Sequence, residues 1–201
     1  MLALLLASCS DESGKPAPAS ATAHSTSKVA APPKRETGRV AFQYTFVAAR
    51  AWRADAQPIS LESQPTKAAN GLDGTAAVWR GTFGSPSRQA MKSWSWSGGN
   101  ADDAPPEGIN PGGEDSWNPN NVSERTFELP FLKVDSEDAL KTALAHGGKK
   151  VLANDPDARV KYSLHWDRNR NALLWIVIFQ ASKPLAISVN ASSGGFVKVE
   201  Q

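Results

Sequence analysis

The chain is short of the side chains that do most enzymatic chemistry. It has one cysteine, Cys9, and three histidines, His24, His146 and His165, in 201 residues. A single terminal cysteine leaves no disulfide framework and, with no HxxxH spacing, no scaffold for a transition-metal site. Nucleophilic catalysis needs a nucleophile, a base and an orienting group within reach of one another, and no GxSxG-type elbow is present. His146 falls at a predicted helix end and His165 on the polar phase of a predicted strand, so both read as ordinary surface histidines. Large excess charge is also lacking. The net charge is +2, and Lys149-Lys150 and Arg168/Arg170 are isolated basic pairs rather than a stripe. That argues against a nucleic-acid partner. Nor does any apolar run approach the roughly 20 residues that span a bilayer.

What is there begins with LLLASC, residues 4–9, followed by a polar stretch of Ser, Ala, Thr, Pro and Lys. Residues 10–38 hold hardly an apolar side chain beyond Val29 and cannot offset the entropy of ordering, so they are predicted to form a disordered tether. Leu6, Ala7, Ser8 and Cys9 resemble the bacterial lipoprotein signal, with residues 1–9 as the signal itself. The resemblance implies a diacylglycerol thioether on Cys9, signal removal and acylation of the new amino terminus, which together make a firm membrane anchor. Ser10 in place of aspartate implies sorting to the outer membrane, facing the periplasm. Such signals carry a basic first region and a longer apolar stretch than the eight residues before Cys9. A start upstream of Met1 would supply both.

Beyond the tether, two stretches align without a gap. AVWRGTFGSPSRQAMKSWSWSGG, residues 77–99, matches LLWIVIFQASKPLAISVNASSGG, residues 173–195. Trp79 falls on Trp175, Phe83 on Phe179, and Gly98-Gly99 on Gly194-Gly195. Before the second stretch, Asp135-Ser136-Glu137-Asp138 supplies an N-cap and an acidic first turn. Leu140, Ala143, Leu144, Gly147 and Val151 recur at helical spacing, with a kink or stop expected at Gly147-Gly148. Val160, Tyr162 and Leu164 alternate with Lys161, Ser163 and His165 like a half-buried strand. Asp167–Asn171 reads as a hairpin loop. Its Asp-x-Asn-x-Asn opening mimics a calcium loop, without the glycine and distal glutamate that complete one. Before the first stretch, Phe42, Phe46, Ala49 and Trp52 make a helix face, though Val40, Phe42, Tyr44 and Phe46 also alternate like a strand.

The expected fold is therefore α+β, with two repeats of a helix followed by an antiparallel meander. Residues 39–97 form the first repeat, 98–134 an irregular connector rich in Gly, Asn, Pro and Asp, and 135–201 the second repeat. On Pro156, Trp175, Val177, Phe179, Val189-Asn190-Ala191 and Gly194-Gly195, the second repeat resembles a PepSY-type (peptidase propeptide, cystatin-like) domain. Asn190 stands where that pattern usually has an acidic residue. The resemblance implies a non-catalytic domain that binds or restrains a peptidase or another envelope protein, with no cofactor. A carrier holding a small ligand between helix and sheet is the alternative. Trp94, Trp96 and Trp117 are the candidate binding surface, a cluster of aromatics near one sheet edge, unless the connector folds back to cover them. Asp102, Asp103, Glu107, Glu114 and Asp115 read as solvated loop acids.

Overall fold

The computed structural model describes residues 31–121 and 124–200. Cys9, the LLLASC stretch and residues 10–30 of the expected tether lie outside the described residues. A two-residue strand, β1 (Glu36–Thr37), leads directly into helix α1 (Gly38–Trp52). The fold therefore begins before residue 39: Lys34 N–H already donates to the Gly98 carbonyl at 2.8 Å. α1 buries Gly38, Ala41, Phe42, Thr45 and Ala49, a helical spacing, while Tyr44 stays exposed. The strand-like alternation over 40–46 yields to that face.

After α1 come β2 (Gln57–Gln64), the short β3 (Thr75–Ala76), β4 (Val78–Ser85), β5 (Ala90–Ser97) and β6 (Gly108–Ser116). Helix α2 (Ser136–Ala143) runs through a π-helical segment, Leu144–Gly148, into α3 (Lys149–Asn154). The break sits at the paired glycines, with Gly147 at φ +125°. Strands β7 (Arg159–Asp167), β8 (Ala172–Gln180), β9 (Leu185–Asn190) and β10 (Phe196–Glu200) complete the chain order.

One antiparallel sheet holds eight of these strands, in the order β10-β9-β8-β7-β2-β4-β5-β6. Each half is a helix followed by a four-strand meander. The halves join where β2 pairs with β7, Leu61 opposite Leu164. The gapless sequence match thus places Trp79 on β4 and Trp175 on β8, the second main strand of each meander.

The connector expected over 98–134 needs correction, because it contains β6. Gly108–Ser116 reads as a breaker segment (GINPGGEDS), yet an edge strand pairs on one side only and tolerates Pro111 and a bulge. Irregular chain is therefore limited to residues 98–107, between β5 and β6, and to the stretch after Ser116. The latter crosses the end of β2, where Phe127 N–H donates to the Pro58 carbonyl, and makes a 3₁₀ turn at Leu129–Phe131 before α2.

The N-termini of α1 and α2 meet at the centre of the molecule. Asp135 is the N-cap of α2 and accepts from Ser136 N–H at 2.7 Å. The same carboxylate accepts from Arg39 N–H at 2.9 Å and the Thr37 hydroxyl at 2.7 Å, so it also caps α1. Ser136 Oγ accepts from Gly38 N–H at 2.8 Å and donates to the Gly74 carbonyl at 2.6 Å. Behind this junction Trp79 and Trp175 meet edge to face, ring centres 6.3 Å apart, both with no exposure. Trp79 Nε1 donates to the Glu36 carbonyl and Trp175 Nε1 to the Val134 carbonyl, each at 2.9 Å. Each carbonyl lies two residues before its own helix, so the two halves anchor their helices in the same way.

Asp55 fixes the far end of the first half. It accepts from Ser87 N–H at 2.8 Å and from the Ser85 hydroxyl at 2.7 Å, tying the exit of α1 to the β4–β5 turn. The Ser87 and Ser85 hydrogen bonds hold its carboxyl down at about 2. A depressed carboxylate contributes stability above its unfolded pKa of about 3.9 and loses that contribution as pH falls through the folded value. The urea midpoint of Asp55→Asn should therefore lie below that of the parent at pH 7, and the gap should close between pH 4 and pH 2. A gap that persists unchanged at pH 2 would show that the charge is not the cause.

Candidate functional site

The two faces of the sheet differ in chemistry, and register shows how. One lateral row, Val189–Trp175–Leu164–Leu61–Gly81–Trp94, crosses six strands in direct pairing. Helices α1, α2 and α3 lie on this side. Thr45 of α1 sits against Gly81, Trp52 against Trp94, and Gly148 at the end of the π segment against Phe179. Trp79, Trp175, Tyr162, Phe83 and Phe179 fill the space beneath the helices with no exposure.

Among the described residues, no helix lies on the opposite face. Its first row runs Asn190–Leu174–His165–Ser60–Thr82–Ser93. Its second runs from Lys198 through Ser188, Ile176, Ser163, Glu62, Arg80 and Ser95 to Asn110, crossing all eight strands. The β8 portion is apolar, and the rest is mainly small hydroxyls flanked by charges. Arg80 donates to Ser93 Oγ at 3.2 Å, and Thr82 and Ser93 share a hydroxyl contact at 3.2 Å. Lys161 pairs with Glu62 at 3.1 Å, which leaves the exposed Arg80 guanidinium without a carboxylate partner among the described residues.

The chain after β6 walls this face on one side. Trp117 lies flat over Gly84, where a Cβ would meet the indole ring at 2.7 Å. Its N–H donates to the Gln89 carbonyl at 2.8 Å and its Nε1 to the Glu124 carbonyl at 3.2 Å. Between that wall and the first row lies a cleft of about 360 Å³, lined by Ser60, Thr82, Ser93 and His165 on the sheet and by Glu124 and Arg125 on the wall.

The three candidate tryptophans are placed otherwise than as an exposed surface. Trp94 is 5%, Trp96 7% and Trp117 4% exposed, so all three are packed. Trp94 sits between Trp52 and Phe83, ring centres 5.4 and 5.8 Å away, and Trp96 stacks on Tyr44 of α1 at 5.9 Å. α1 lies across β4 and β5, so the face these residues share is the covered one. Trp117 is on the other side of the sheet and never joins them. Its part is to position the wall of the cleft.

His146 stacks parallel on Phe196, ring centres 4.0 Å apart. His165 is exposed in the cleft as the cross-strand partner of Ser60, but no hydrogen bond joins the two side chains. Among the described residues, no three His, Cys, Asp or Glu side chains gather as a metal site. The loop acids are dispersed: Asp103 caps Lys67 N–H at 2.7 Å, and Glu114 accepts from Trp52 Nε1 at 3.0 Å and pairs with Arg88. Asp167–Asn171 is a hairpin turn closed by Arg170 N–H on Asp167. Residues of the cleft come from five strands and a loop, and no local motif joins them, so the sequence pattern does not mark them as a group. No family model, curated protein or solved structure matches the chain.

Proposed function

We propose that this chain is a lipid-anchored, non-catalytic cell-envelope protein that binds a peptidase or another envelope protein on the open face of its sheet. The observation that carries the reading is the helix-free face itself. Hydroxyls in register across successive strands, an exposed Arg80 with no carboxylate partner among the described residues and a walled cleft suit the polar surface of a folded partner. Two further features support it. The Leu6-Ala7-Ser8-Cys9 signal gives the anchor, with Cys9 as the lipidation site and the outer membrane, facing the periplasm, as the location. The helix-then-four-strands order of both halves agrees with two PepSY-like repeats. Among the described residues no helix is long and apolar enough to cross a membrane.

The small-ligand carrier is the weaker reading, since aromatic side chains fill the space between helices and sheet. In-cell crosslinking of the anchored protein, followed by mass spectrometry, tests the proposal. A reproducible partner should be recovered with the parent and lost at least about tenfold with Arg80→Glu/Thr82→Arg, a charge reversal and a steric block in the cleft. The amino-terminal peptide should carry lipid on Cys9. Undiminished capture by the double variant would remove the open face from the account, and an unlipidated Cys9 would remove the anchor.

A further inference from the structure

The two edges of the sheet are not alike. At one end β6 reads GINPGGEDS, with a proline, adjacent glycines and two acids on the outermost strand. These are the devices that discourage a further strand from pairing. At the other end β10 reads FVKVE, with no proline, no glycine and a high β-propensity; a bulge between Phe196 and Lys198 brings Phe196 onto the same side as Val199 and leaves Lys198–Glu200 in regular register. Its side chains on the helix-bearing side are poorly covered. α2 packs on β8 and β9, leaving Phe196 40% and Val199 44% exposed. The outer side of β10 pairs with no strand among the described residues.

We propose that β10 pairs antiparallel with β10 of a second copy, with Val199 opposite Val199 on the twofold axis. In that register, Lys198 of each copy faces Glu200 of the other, because antiparallel partners sum to a constant residue number. Lys198 and Glu200 sit on the same face of β10 and already attract one another within one chain, Nζ to Oε2 at 2.5 Å. Pairing places the four charges in an alternating square rather than in like-charge contact. On the other face, Val199 meets its own copy and loses water from one of the most exposed apolar side chains of the domain. A register one pair earlier would set Lys198 against Lys198, so the charges select both the partner and the alignment. The contact uses one isologous patch and leaves the open-face cleft of each copy free.

Cysteine crosslinking of the full chain tests this, with Cys9→Ser as background so that Cys9→Ser/Val199→Cys carries a single thiol. Directly opposed residues on antiparallel strands lie about 4.5–5.5 Å apart at Cα, within disulfide reach. Oxidation should convert Val199→Cys to a covalent dimer, while Ser116→Cys on the β6 edge stays monomeric. Lys198→Glu opposes two like-charge pairs by symmetry and should lower crosslinking and sedimentation-measured dimerisation by roughly tenfold. The charge-swapped Lys198→Glu/Glu200→Lys should recover both to within about twofold of the parent. Equal crosslinking from both edges, no dimer at any concentration, or a swapped variant as weak as Lys198→Glu would overturn the proposal. None of these results bears on the cleft, whose partner is tested separately.

Discussion

Trp79→Ala and Trp175→Ala should each lower stability by about 3–5 kcal/mol, the range for deleting a buried aromatic side chain. Both indoles are fully buried, and neither site can collapse readily because each tryptophan is wedged against the other. Each substitution also strands a carbonyl, Glu36 or Val134, that the indole N–H had satisfied. The equality of the two losses is the informative part. If the halves anchor their helices by the same device, urea midpoints should fall by similar amounts. Because the rings touch, the double variant should cost less than the sum of the two singles by about 1 kcal/mol. Trp→Phe at either site should be intermediate, keeping most of the packing and losing the hydrogen bond. One cheap and one costly substitution would show that the resemblance between the halves stops at topology.

Asp135→Ala should be the most damaging substitution of a charged residue, at about 2–3 kcal/mol. Loss of one N-cap typically costs about 1 kcal/mol, and this carboxylate caps two helices and holds the Thr37 hydroxyl as well. Asp135→Asn keeps an acceptor oxygen and should lose about half as much. The control is Asp138→Ala in the same helix turn, whose exposed pair with Lys141 should be worth less than about 0.5 kcal/mol. Chemical denaturation of the three variants separates the cases. If Asp135→Ala costs no more than Asp138→Ala, the shared cap is not what joins the halves.

What the sequence made legible was whatever its local periodicity encodes. The α+β class, the helix face over 42–52, the cap at Asp135 and the kink at Gly147-Gly148 all arise from residues within a few positions of one another. The offset between residues 77–99 and 173–195 was legible too, because packing tryptophans and turn glycines recur at equal spacing on equivalent strands. β6 was hidden, since Pro111 and its neighbouring glycines carry the signal of a loop. Only the free outer side of an edge strand lets such residues into a sheet. The phase of Trp94 and Trp96 was correct, but alternation does not say which phase a helix will cover, and α1 covers theirs. The cleft was out of reach for a related reason. Ser60, Thr82, Ser93 and His165 fall in line only once β2 pairs with β7, a contact between the two halves that no local pattern specifies.

A photo-crosslinking residue placed at Thr82, on the open face, against one at Val47, 70% exposed on the outer side of α1, distinguishes the two faces as recognition surfaces. Thr82 should capture the same partner recovered from whole-protein crosslinking in cells, and Val47 should capture none. Capture from Val47 with silence at Thr82 would move recognition to the helical face and contradict the proposal.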